Sequence, residues 1–246
     1  MGNQKSHNDN TKEEDQNSVN DQPIIDPIIV KHHAKQLALD EALVEAVNNN
    51  NCVTAKTLMD AGANPELVLY GAAIMKELDI FKMLYQHTPD PNNANLLKVV
   101  LNRIHDSIYT NKVFDTDKLL QKIGLQYSTY DIDQQVERLL TICEYIISQN
   151  ENIFNKFNCK GYRILLQGAH KHNKSDLLKI CIKYCLTTGR EDFLEITTEY
   201  NPQGIIKYLT DEPNIWENSN FPIKGVLKLA TKQNNEEIMG MCLKRL

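Results

Sequence analysis

Residues 43–65 read LVEAVNNNNCVTAKTLMDAGANP. Leu43 to Val47 is apolar apart from Glu45, with one small residue, Ala46, inside it. Four asparagines, Asn48 to Asn51, interrupt it, and asparagine favours turns and caps over helix interiors. A second apolar series closes on Leu58 and Met59. Ala61-Gly62-Ala63-Asn64-Pro65 then ends it, because glycine suits a helix C-terminus and proline cannot continue the helix. The stretch predicts two short antiparallel helices. Ala46 lets them approach closely, and the Leu58/Met59 cluster fills the layer toward the next pair.

Three further segments fit the same template. Leu69-Tyr70-Gly71-Ala72-Ala73 leads through Lys76-Glu77 into 78–85. Leu166-Gln167-Gly168-Ala169 leads through 171–175 into 176–182, and Leu227-Lys228-Leu229-Ala230 leads through 233–235 into 236–243. Helical periodicity runs nearly everywhere from residue 35. Polar breaks fall at 48–51, 62–65, 88–93, 124–130, 149–151, 172–175, 187–191, 201–203, 211–221 and 233–235. The longer segment 132–148 presents Val136, Leu139, Leu140, Cys143, Ile146 and Ile147 on one face.

These units resemble ankyrin repeats, which pair a first helix holding a small residue with a second helix that ends in an apolar run and an Ala-Gly-Ala-Asn/Asp turn. The Thr-Pro-Leu-His opening of that family is absent. Val44, Tyr70 and Gln167 stand where its histidine would be. Leu43 and Leu69 lie 26 residues apart, against about 33 for a typical repeat, so the hairpin finger is expected to be shortened or lost. Residues 95–160 fit the template poorly. The resemblance implies an all-α fold: an α-solenoid of about six or seven helix pairs over residues 23–246, at least four of them ankyrin-like, behind the polar tail at 1–22. It also implies a protein partner bound on the concave face of first helices and inter-repeat turns. The expected contacts there are Glu41, Glu45, Tyr70, Met75, Arg103, His170 and Trp216. The asparagine- and lysine-rich style, degenerate units and polar head resemble secreted effectors of intracellular bacteria, which implies the host cytosol and a host protein partner.

The bulk numbers agree with this class. A chain of 246 residues, 41% hydrophobic, can bury a substantial core. Net charge is −5 with scattered lysines and arginines, which argues against a nucleic-acid partner. Six cysteines at irregular spacing in apolar contexts read as reduced, buried thiols of a cytoplasmic protein. No apolar run approaches the ~18 residues of a membrane span, and the polar N-terminus lacks a secretory core. Residues 1–22 hold almost nothing apolar and are expected to be disordered. Pro23 and Pro27 argue against helix over 23–30, which reads as an extended strap or the lead into a first helix.

Met1-Gly2-Asn3-Gln4-Lys5-Ser6 fits the myristoylation pattern, with Gly2 as acceptor. A single chain beside Glu13, Glu14 and Asp15 would give weak, reversible membrane association. His170 and His172 with Cys181 and Cys185 lack zinc-site spacing, and adjacent His32 and His33 point different ways. No cysteine follows a glycine-rich turn or opens an obvious helix, where its pKa would fall. Phosphate loops and hydrolase or metalloprotease motifs are absent. The pairs Asp131/Asp133, Glu191/Asp192 and Asp211/Glu212 read as helix-dipole partners or loop residues. Trp216 lies in a polar loop and is read as packed rather than presented; Tyr109, Tyr127 and Tyr130 carry the same ambiguity. The expected molecule is a monomeric protein-interaction module or scaffold with no catalytic, cofactor or metal site. The alternatives are an enzyme, cysteine-based or otherwise, hidden in 95–160, and a myristoyl-tethered membrane scaffold.

Overall fold

The computed structural model describes residues 27–75, 77–89, 91–109, 124 and 131–246. Gly2, Tyr127 and Tyr130 lie outside the described residues. All regular structure among them is helical, in twelve α-helices. These are α1 (Pro27–Asn48), α2 (Cys52–Asp60), α3 (Glu66–Met75), α4 (Leu78–His87), α5 (Asn93–Tyr109) and α6 (Ile132–Gln149). They continue as α7 (Cys159–Lys171), α8 (Ser175–Thr188), α9 (Glu191–Tyr200), α10 (Pro202–Asp211), α11 (Ile223–Lys232) and α12 (Glu236–Leu243). Two 3-10 turns, Glu151–Lys156 and Pro213–Glu217, precede α7 and α11.

The helices associate in consecutive pairs, from α1/α2 to α11/α12. Each odd-numbered helix also packs on the next odd-numbered one. Among even-numbered helices, α2 packs on α4, α4 on α6, and α8 on α10. One apolar core runs through all of them. The template alanines Ala46, Ala72, Ala169 and Ala230 are all buried. Leu84, Cys181 and Cys242, each twelve positions after its alanine, are buried too. The first pair differs by one position, burying Met59.

Asparagine makes the turns inside three of these pairs. Asn50, Asn173 and Asn234 adopt positive φ near +50°, a conformation asparagine tolerates better than other non-glycine residues. In each turn the following N–H reaches back five residues, to the carbonyls of Ala46, Ala169 and Ala230. The αL residue's own N–H reaches back three. This is a Schellman closure, and it satisfies carbonyls that the helix end leaves open. Gly62 closes α2 in the same manner at φ +107°. Asparagines then open the following helices: the side chains of Asn51, Asn158, Asn201 and Asn235 accept from backbone N–H groups of the first turn.

Three expectations are corrected here. Pro27 is the first residue of α1, where its fixed φ suits a helix and its missing N–H costs nothing. Of the stretch 23–30, read against helix or as the lead into a first helix, residues 27–30 are helical, and 23–26 lie outside the described residues. Cys52 and Cys159 are the first residues of α2 and α7, so two cysteines do open helices. Asp211 is the last residue of α10, where a carboxylate opposes the dipole. The Gly124 carbonyl accepts a hydrogen bond from Asn48 Nδ2, at the end of α1, at 2.6 Å.

Candidate functional site

Two open grooves lie between consecutive odd-numbered helices, hereafter the first helices of their pairs. One separates α9 from α11. Its walls are Glu191, Glu195 and Glu199 on α9 and Lys224, Lys228 and Lys232 on α11. Four-residue spacing puts each trio on one helix face. Leu194 and Leu229 form the floor, and Gly225 permits the close approach: a Cβ there would stand 2.6 Å from Leu194 Cδ2. Lys228 lies 3.5 Å from Glu195, and Arg163 on α7 pairs with Glu199. The acidic and basic walls therefore largely compensate each other.

The other groove separates α5 from α7 and is closed at one end by Ile153, Lys156 and Phe157. Its floor is Leu97, Leu101, Ile153 and Ile164, all buried. Exposed asparagines and lysines stand around it.

Beneath the stretch from α7 to α9 lies an aromatic stack. Tyr162 and Phe193 stack with centroids 4.0 Å apart, and Phe154 stacks on Tyr184 at 4.5 Å. The Tyr162 hydroxyl donates to the Cys181 carbonyl at 3.0 Å and meets Thr197 Oγ1 at 2.9 Å. Arg190 lies over the Phe193 ring at 3.9 Å and pairs with Asp192 at 2.6 Å. The Arg190 guanidinium, through its hydrogen bonds, holds the Asp192 carboxyl down to about 2. On the other side, Arg138 of α6 donates to the Ala73 carbonyl at 3.5 Å and to that of Ile74, capping α3. Burial lowers its pKa to about 10, and nearby Arg103 adds to the shift.

The partner contacts expected from sequence separate into two groups. Glu41 and Glu45 are exposed on α1, His170 is exposed near the end of α7, and Tyr70 and Arg103 are half-buried on α3 and α5. Met75 is 2% exposed and Trp216 4%. The Trp216 Nε1–H donates to the Leu209 carbonyl at 3.1 Å, and the indole packs on Phe221 at 4.8 Å. These two side chains are core, so they present nothing to a partner. Met75 closes the buried run Gly71–Met75 of α3, and Trp216 needs its indole N–H satisfied once buried.

Cys143, Cys159, Cys181 and Cys185 are ill-suited to nucleophilic work. Burial pushes Cys143 and Cys181 well up and Cys185 to about 12. Cys159 is exposed at the start of α7, but its bond to Asp192 at 3.2 Å also raises its pKa. A neighbouring carboxylate disfavours the thiolate, which outweighs the helix terminus here. His170 and His172 flank the α7–α8 turn, while Cys181 and Cys185 lie in the core; the structure does not bring them together. His32 and His33 are exposed on α1. Among the described residues no three histidine, cysteine or carboxylate side chains gather to hold a metal ion, and no helix is long and apolar enough to cross a membrane.

The groove residues were not among the contacts expected from sequence. The i, i+4, i+8 series of Glu191 and Lys224 is visible in the chain, but nothing local says that the two face each other. No protein family matches the chain, no characterised protein is significantly similar to it, and no solved structure is either.

Proposed function

We propose that this chain is an ankyrin-like α-solenoid that recognises a protein partner across the surface of its first helices and carries out no chemistry of its own. The observation that carries the reading is the pair of grooves on one layer, between α5 and α7 and between α9 and α11, each with an apolar floor and a polar rim. That anatomy is the one protein interfaces use: an apolar centre with charges at the edge. Packing of each helix pair on the pairs before and after it supports the solenoid part. The elevated cysteine pKa values support the non-catalytic part. Action as a monomeric cytoplasmic scaffold, on a host protein if the chain is secreted by a bacterium, is part of the same proposal.

Affinity capture with paired variants tests it. One variant changes exposed first-helix residues, Glu41→Ala, Glu45→Ala, Lys98→Ala and Lys228→Ala. The other changes exposed second-helix residues, Lys56→Ala and Lys179→Ala. The expected result is a stoichiometric protein retained by the wild-type chain and the second variant and lost by the first. Equal loss from both variants, or covalent modification of a captured protein, would overturn the reading.

A further inference from the structure

We propose that the groove between α5 and α7 takes an acidic segment of the partner, seating an apolar side chain on its floor and carboxylates on its rim. This rests on the reading of the first-helix face as a protein-binding surface and specifies the chemistry of what binds there. The argument begins with sign. Lys98 of α5, Lys156 of the 3-10 turn and Lys160 of α7 all line this groove and are exposed. Among the described residues none of the three has an ion-pair partner, and no Asp or Glu lines the groove. The positive end of the α7 dipole lies at the same place, since α7 begins at Cys159. The α9–α11 groove offers the contrast. There three glutamates face three lysines and selection by charge is cancelled. Of these two grooves, the one between α5 and α7 is lined, among the described residues, by charge of a single sign, and carboxylates entering it would relieve repulsion among its lysines.

The floor decides which anion fits. Leu97, Leu101, Ile153 and Ile164 form an apolar bed, and burying apolar area stabilises by about 25 cal/mol per Å². A sugar-phosphate backbone offers that bed nothing, whereas a peptide brings side chains. Gly161 keeps the bed open: a Cβ there would crowd Phe157 at 3.1 Å. The volume, about 250 Å³, is below the ~300–1,000 Å³ of pockets that engulf small ligands. It has room for one or two side chains. Asn95, Asn102 and Asn158 on the rim supply neutral donors and acceptors for an extended backbone.

The test is selection of random peptides displayed on phage against the full chain. Enriched peptides are then made as free fluorescent molecules and their binding followed by polarisation. The expected peptides carry an apolar residue flanked by Asp or Glu. Their affinity should fall about tenfold or more in K98E/K156E/K160E and also as salt is raised. It should change less than about twofold in K224E/K228E. All five lysines are exposed, so these variants should fold normally. Asn102→Trp, which fills the groove without changing charge, should give the same loss. Enriched peptides without acidic residues, no enrichment at all, or full binding to K98E/K156E/K160E would each overturn the proposal. Binding lost instead in K224E/K228E would move the site to the α9–α11 groove and leave the first-helix reading standing. Binding that survives both sets of changes would remove that reading as well.

Discussion

Gly189 ends α8 at φ +66°, and a Cβ there would stand 2.5 Å from the Asn220 carbonyl oxygen. Backbone cannot yield as a side chain can. Gly189→Ala should therefore cost about 2 kcal/mol or more, from left-handed strain and the clash together. Gly240 is the opposite case: it is helical and a Cβ would meet nothing within 4 Å. Gly240→Ala should stabilise by about 0.5–1 kcal/mol. Urea midpoints at unchanged m-value would read both. Tyr162→Phe should cost about 1–2 kcal/mol, since it strips the buried Cys181 carbonyl and Thr197 hydroxyl of a partner. The Asp192 carboxyl, held down to about 2 by Arg190, titrates near 3.9 when unfolded. Its contribution is thus fully present above about pH 4 and lost as pH falls toward 2. The side chain is 41% exposed, so screening keeps that contribution under about 1 kcal/mol. The stability gap between wild type and Asp192→Asn should close on acidification through this window, and a pH-independent gap would refute the linkage.

Helix boundaries here are set largely by asparagine. The tract at 48–51, Asn173 and the pair 234–235 are legible as breaks because cap and turn chemistry is local. In these turns Asn50, Asn173 and Asn234 close a helix in the left-handed region, and Asn51 and Asn235 open the next through their side chains. Asn51→Ala should cost about 1 kcal/mol by uncapping α2. Asn173→Gly, which removes the cost of φ +53°, should leave stability unchanged or raise it by a few tenths of a kcal/mol. Thermal melts would separate the two. Where sequence reasoning failed on elements, the error was also local. Proline breaks a helix interior, but at 27 it stands in the first turn, which accepts it. Cys159 opens a helix without an obvious sign at its own position, the signal being Asn158 one position earlier, which caps α7.

Each pair packs on the pairs beside it, so stability should follow neighbour contacts rather than one global nucleus. A chain ending at Asp211, without α11 and α12, should keep its helical circular-dichroism signal per residue and melt cooperatively at a lower midpoint. Collapse of that signal would show that the last pair is indispensable. The amino-acid sequence by itself determined the helical class, the pairing template and most helix ends. Periodicity and caps act within a few residues, and the buried alanines at 46, 72, 169 and 230 repeat visibly. The tertiary structure alone decided what meets across a groove. Lys98, Lys156 and Lys160 come from three elements, and Arg138 caps a helix 64 residues earlier in the chain. Met75 and Trp216, attractive as contacts in the sequence, were claimed by the core. The physical reason is that side-chain pattern says which face of a helix avoids water, while the crossing of one helix on the next decides whose exposed edges come together.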